Sequence, residues 1–204
     1  MGEYQMTRLA FSKIEDLYIQ LLEETVDADF LMIFTPTLYV GVTPNGDHSD
    51  THKNVDREFL NKMNENQKCK TIVMVGLHDC YLKENQQCSQ CNLDYVSKVM
   101  RVFNTSEVLK NVTFKILPNN NYRLYAIFKS NADPIIYMGS HSMAGGSCDE
   151  LIVRVLANDE LVKIIMDTIS TAAPATFENL VLFLQQQEKQ SGLKPTEAFE
   201  QLYG

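Results

Sequence analysis

The stretch Asn121 to Glu150, NYRLYAIFKSNADPIIYMGSHSMAGGSCDE, decides how the rest of the chain is read. Tyr122, Leu124, Tyr125, Ile127 and Phe128 make a strand-like run, aromatic and branched, that turns at Asn131-Ala132-Asp133-Pro134. A second strand, Ile135 to Met138, ends in Gly139-Ser140-His141-Ser142, and the small-residue loop Gly145-Gly146-Ser147 leads to Glu150. Two strands thus deliver a basic residue, a Gly-Ser turn and a carboxylate toward one spot.

Outward from this hairpin, strands and helices interleave. Asp29 to Phe34 is a short continuous apolar run closed by Pro36, and Thr71 to Leu77 is β-branched and uninterrupted. Both patterns suit strands covered on two faces. Further strands are expected at Leu38 to Val42, Val112 to Leu117 and Leu151 to Leu156. Ser12-Lys13-Ile14-Glu15 fits a capping box, opening a helix to about Glu24 with Ile14, Leu17, Tyr18, Leu21 and Leu22 at helical spacing. Val55 to Asn64 predicts a helix with Val55, Phe59, Leu60 and Met63 inward. Leu93 to Phe103 predicts another, followed by a shorter one at Ser106 to Leu109. Asn158 caps a helix whose inward residues are Leu161, Ile164, Ile165 and Ile169. A helix starts at Thr176 and runs through Leu180, Val181, Phe183 and Leu184, and a last short one spans Pro195 to Tyr203.

The alternation predicts an α/β fold, a mixed β-sheet sandwiched between helices. Residues 1–172 are read as one α/β domain and 173–204 as a C-terminal helical extension whose apolar face closes the core or pairs with a second subunit. A chain of 204 residues with 45% apolar content can fill one such core. The formal charge of −8 argues against a generally basic surface, as non-specific nucleic-acid binding would favour, while leaving room for a local basic groove. No run reaches the about 18 apolar residues of a membrane helix, and no signal-peptide core is present, so an intracellular, cytoplasmic protein without membrane contact is expected. An odd number of cysteines, five, fits a reducing compartment.

Two clusters of potential ligands stand outside the hairpin. His48 and His52 lie in the turn-rich segment 43–54, either in a solvated loop or lining a cleft. His78 follows the Thr71–Leu77 strand, where a parallel sheet presents functional groups, and Cys80, Cys88 and Cys91 come soon after. Cys88 and Cys91 form a Cys-x-x-Cys pair, so residues 78–91 are a candidate zinc-knuckle insertion. Three thiolates and one imidazole leave no open coordination position, which makes such a zinc structural. Reduced thiols beside a strand-end histidine are the alternative. The zinc nucleobase deaminases are excluded, because Cys80 stands where His-x-Glu needs its glutamate and Gln87 where Pro-Cys-x-x-Cys needs its proline.

Asn121-Tyr122-Arg123-Leu124-Tyr125, then Tyr137-Met138-Gly139-Ser140-His141-Ser142, then Glu150, resembles the phospholipase D-like superfamily, in particular its restriction-type endonuclease branch with one motif per chain. That pattern is His-x-Lys running on into Leu-Tyr, a Gly-Ser-x-Asn and a downstream glutamate. The resemblance extends over about residues 12 to 170 and implies the superfamily's layered fold. It implies a histidine nucleophile on phosphorus, with the lysine and the Gly-Ser-x-Asn side chains holding phosphate oxygens and two motifs meeting across a dimer axis. On this chain the histidine position is Asn121, the lysine position Arg123, the serine Ser140, the asparagine position Ser142 and the acid Glu150.

An amide is neither a useful nucleophile nor a proton shuttle, so Asn121 removes the covalent step. Arg123 keeps the charge and suits bidentate phosphate recognition, and Ser142 can still donate one hydrogen bond. The leading expectation is a nuclease-like domain that holds a nucleic-acid phosphate through Asn121, Arg123, Ser140 and Ser142, or a protein partner, as a homodimer, without ordinary catalysis. The first alternative is an active, metal-independent phosphodiesterase or endonuclease with a relocated histidine, for which His141 with Glu150 is the nearest candidate, although strand alternation turns His141 away from Ser140 and Ser142. The second is a zinc-stabilised acidic interaction or inhibitor protein.

Overall fold

The continuous apolar runs become the centre of the sheet. The computed structural model describes residues 10–38, 55–77, 89–117, 120–141, 143 and 150–191. Its elements, in order, are β1 (Ala10–Phe11), α1 (Ile14–Glu24), β2 (Phe30–Thr35), α2 (Val55–Glu65), β3 (Lys70–Val75), α3 (Ser89–Val108), β4 (Val112–Ile116), β5 (Leu124–Lys129), β6 (Ala132–Gly139), β7 (Ile152–Leu156), α4 (Asp159–Thr171), β8 (Ala173–Pro174) and α5 (Phe177–Ser191). The strands form one sheet in the order β1-β7-β6-β5-β2-β3-β4-β8. β2, β3 and β4 run parallel, as βαβ crossovers require, whereas β5, β6 and β7 are an antiparallel meander joined to β2.

Both faces are covered, so successive residues of a central strand enter different cores. Leu31, Ile33, Val73, Val75, Tyr125 and Ile127 pack with α1, α2, α3 and α5 through residues such as Leu17, Leu60, Val99 and Phe183. Met32, Phe34, Met74, Leu124 and Ala126 pack with α4 through Ile165, Leu161 and Ile169. The result is an α/β fold with a mixed sheet between helices. Residues 173 onward supply β8 against β4 and α5, whose Leu180, Phe183 and Leu184 lie in the larger core. Among the described residues no helix is long and apolar enough to cross a membrane.

Several local expectations are corrected. Ser12 does not cap α1: Lys13 holds the cap position without a side-chain bond, and the Ser12 carbonyl accepts the amide of Glu150 instead, at 3.0 Å. The helix starts one residue later than the capping-box frame demands. α3 is one continuous helix, because the hydroxyls of Thr105 and Ser106 bond back to Arg101 O and Phe103 O and so remove the break inferred at that polar patch. The β5–β6 turn is Ser130-Asn131, with Lys129 opposite Ala132, tighter than the turn read at 131–134. Ile164 is half-exposed on α4, where Ile165 takes the buried position. The Asn158 cap forms, its side chain accepting from Leu161 N at 2.8 Å. The strand expected at Leu38–Val42 and the helix at Pro195–Tyr203 fall largely or wholly outside the described residues.

At the exit of β3 the chain passes through a tight backbone crossing. Gly76 N donates to Thr35 O at 2.9 Å, and a Cβ on Gly76 would overlap the carbonyl oxygen of Asn120 and meet that of Pro36 at 3.0 Å. The next residue, Leu77, is buried with φ of 52°, the left-handed region, at a cost of about 1–2 kcal/mol for a side chain with a Cβ. Gly76→Ala is therefore expected to destabilise the fold by about 1–3 kcal/mol, read as a lower urea midpoint at unchanged slope.

Candidate functional site

β2 is the switch strand of the sheet, parallel to β3 on one side and antiparallel to β5 on the other. The region beyond the carboxyl ends of the parallel strands is the usual place for a site in an α/β sheet. Thr35 organises that edge. Its carbonyl accepts Gly76 N and Asn120 Nδ2 (3.3 Å), while its hydroxyl donates to Thr37 O at 2.6 Å and accepts the amide of Met143 at 3.0 Å. Asn120 is buried, bonds also to Met74 O at 3.3 Å, and accepts Tyr122 N at 2.9 Å. These bonds fix the entry to β5 and the loop after β6 at the same edge.

β6 ends at Gly139, whose amide bonds to Arg123 O at 3.2 Å, so the Gly-Ser turn lies beside the Asn121–Arg123 segment. A Cβ on Gly139 would overlap Leu151 O, which is why only glycine fits. Ser140 stays exposed, its amide bonding to Leu151 O at 3.1 Å, and its hydroxyl accepts Leu151 N at 3.0 Å and donates to Glu150 Oε2. His141 turns inward and is 3% exposed.

The imidazole sits between two carboxylates. Nε2 is 3.0 Å from Asp56 Oδ1, and Nδ1 is 3.4 Å from Glu150 Oε1. Tyr18 Oη donates to the same Asp56 oxygen at 2.6 Å and lies 3.2 Å from Nε2 and 3.5 Å from Tyr125 Oη. Tyr18 is held in place by stacking on Phe59, ring centroids 4.1 Å apart and nearly coplanar in orientation at 3°. Asp56 stands in the first turn of α2, where the helix dipole favours an anion.

Burial pushes the Tyr18 phenol well above its ordinary range, with Tyr125 and Asp56 adding to the rise. Burial likewise raises Tyr125; its contact with Tyr18 opposes the rise, and the charges of Asp56 and Glu150 reinforce it. Both phenols therefore remain neutral O–H donors at physiological pH.

This arrangement brings together Ser140, His141 and Glu150, and sets Asn121 and Arg123, both exposed, beside them. It also adds three residues that the sequence reading passed over as site groups, Tyr18, Asp56 and Tyr125. Asp56 carried a signal: it falls on the inward stripe 56, 59, 60, 63 of α2, a carboxylate on an apolar face. Ser142, His48, His52, His78, Cys80 and Cys88 lie outside the described residues, and Cys91 belongs to the first turn of α3 with its side chain outside them. Among the described residues no group of histidine, cysteine and acidic side chains is arranged to hold a metal ion. Asp56 and Glu150 approach opposite nitrogens of one ring and so do not converge on a shared position.

The geometry can do two things chemically. It locks a loop to two helices through a buried hydrogen-bond chain, and it leaves a guanidinium, an amide and a Gly-Ser turn at the surface. A histidine with both nitrogens engaged and 3% exposure has no free lone pair to offer a substrate. The class so defined is a mixed-sheet α/β domain with a buried Tyr-Asp-His-Glu cluster at the carboxyl end of its parallel strands. No model of a known protein family matches the chain, and no curated protein matches it.

Two outcomes follow from the cluster. Asp56→Ala strands a buried ring and a buried phenol and is expected to cost about 3–5 kcal/mol, Tyr18→Phe about 1–2 kcal/mol. In urea unfolding the double variant should cost less than the sum, and strict additivity would show that the groups are not coupled. Raised phenol pKa values mean that above about pH 10 the unfolded chain loses tyrosine protons that the folded chain keeps, so stability falls as pH rises through that region. Tyr18→Phe and Tyr125→Phe should each flatten that alkaline slope.

Proposed function

We propose that the chain is a phospholipase D-like domain that binds a nucleic-acid phosphate without cutting it, at the sheet edge carrying Asn121, Arg123 and Ser140. What supports binding over cleavage is the state of His141, the imidazole at the motif among the described residues, whose nitrogens both lie against carboxylates inside the fold. Asn121 at the motif's nucleophile position points the same way, since an amide cannot attack phosphorus. The Ser140 hydroxyl donates a hydrogen bond to Glu150 and accepts one from Leu151 N, so the charged contact falls to the exposed Arg123, with Asn121 beside it. A guanidinium offers two parallel N–H bonds to one phosphate.

The test is fluorescence anisotropy with a labelled single-stranded oligonucleotide, run beside a cleavage assay on supercoiled and single-stranded DNA in chelator. Arg123→Ala should weaken binding about tenfold or more and reduce the salt slope by about one. No cleavage is expected. Metal-independent cleavage by the purified protein, with a phosphohistidine trapped on the chain, would establish the phosphodiesterase reading instead.

A further inference from the structure

One contact at the same edge bears on how strongly it can hold an anion. A serine hydroxyl has a single proton to donate, and that of exposed Ser140 goes to Glu150 Oε2, while the oxygen accepts Leu151 N at 3.0 Å. The amides of the turn are engaged as well. Gly139 N donates to Arg123 O at 3.2 Å and Ser140 N to Leu151 O at 3.1 Å. Each of these donors is therefore already bonded to the chain itself.

Glu150 is held from several sides. Its amide donates to Ser12 O at 3.0 Å, its Oε1 lies 3.4 Å from His141 Nδ1, and its side chain is 13% exposed. Its charge also reaches the Tyr125 phenol, where it adds to the rise that burial imposes. A phosphate oxygen held by the Ser140 hydroxyl lies within about 5.5 Å of Glu150 Oε2, two hydrogen-bond lengths. Beside a largely buried carboxylate, a like charge at that distance is poorly screened.

We infer that Glu150 is an internal competitor for the anion, an autoinhibitory contact in which the chain's own carboxylate takes the Ser140 donor and opposes a phosphate at the turn by its charge. This rests on the phosphate reading and deepens it to the regulation of the same site. A bound phosphate either displaces Glu150 from Ser140 or does without that donor. The repulsion scales with the charge of the ligand, so a dianionic phosphomonoester is penalised more than a monoanionic phosphodiester. Removing the charge at position 150 opens the turn.

The experiment is anisotropy of a labelled single-stranded oligonucleotide on the full chain at about pH 8, with phenyl phosphate and methyl phenyl phosphate as dianionic and monoanionic competitors. Glu150→Gln should tighten oligonucleotide binding about three- to tenfold and improve competition by phenyl phosphate more than by methyl phenyl phosphate. Ser140→Ala should leave the affinity of the wild-type background unchanged, yet lower it about threefold in a Glu150→Ala background, where the hydroxyl is free to meet phosphate. A urea midpoint shows which variants are folded. Should the Glu150 variants not fold, the wild-type protein decides. There phenyl phosphate should compete no better than methyl phenyl phosphate, and a several-fold advantage for the dianion overturns the inference. Oligonucleotide binding that Arg123→Ala weakens and folded Glu150→Gln leaves unchanged or weaker overturns the competitor and leaves the phosphate reading standing. Binding that appears only in Glu150→Gln supports both. No binding by any folded protein, Glu150→Gln included, overturns the phosphate reading as well.

Discussion

An imidazole buried between two carboxylates can be satisfied in only one arrangement of the surrounding chain, and that demand organises this molecule. His141 needs α2 to bring Asp56 to one nitrogen, the start of β7 to bring Glu150 to the other, and α1 to bring Tyr18 over the shared oxygen. If any of the three is displaced, a buried polar group is left without a partner. The cost of that state far exceeds the loss of an ordinary surface bond. The hydrogen-bond chain thus converts packing, which tolerates small slips, into an arrangement with a defined position for the loop after β6.

The second constraint is at the backbone. Thr35, Gly76 and Asn120 come together where the sheet changes from parallel to antiparallel pairing, and the contact is close enough that a side chain on Gly76 cannot be accommodated. Neighbouring strands run in opposite senses on the two sides of β2, so their connections leave in different directions and open an edge. The exposed groups Asn121, Arg123 and Ser140 lie at that edge, where the Asn120 bonds fix the entry to β5. The surface chemistry and the buried cluster are therefore two sides of one structural junction, joined through the Gly139-Ser140 turn.

Much of this was legible from residue order. The apolar runs at Asp29–Phe34 and Thr71–Leu77 marked central strands, observed at Phe30–Thr35 and Lys70–Val75, and the Asn158 cap and the apolar stripe of α1 marked helices, because each signal depends on neighbours within one turn or one strand. The gathering of Ser140 and Glu150 was legible as well, from the run of glycine and small residues in the sequence between them. The rest depends on contacts far apart in sequence. Asp56 is 85 positions from His141, and nothing local distinguishes it from a solvated first-turn carboxylate except its place on an apolar face. Ser12 carried a sound local capping signal, yet tertiary pairing took its carbonyl for Glu150 and moved the helix start by one residue. Alternation rightly separated the directions of Ser140 and His141, but it could not show that Glu150, with an oxygen for each, would reconnect them.

The far edge of the sheet carries a different message. β8 is two residues long, hemmed between the end of α4 and the start of α5, and its second residue is Pro174, which has no amide hydrogen to offer. A strand from another molecule would find almost nothing to pair with there, so the hydrogen-bonding template that makes open sheets polymerise is withdrawn at that border. Association on that side is left to side-chain surfaces, which can be selective, and not to backbone pairing, which any extended peptide could exploit.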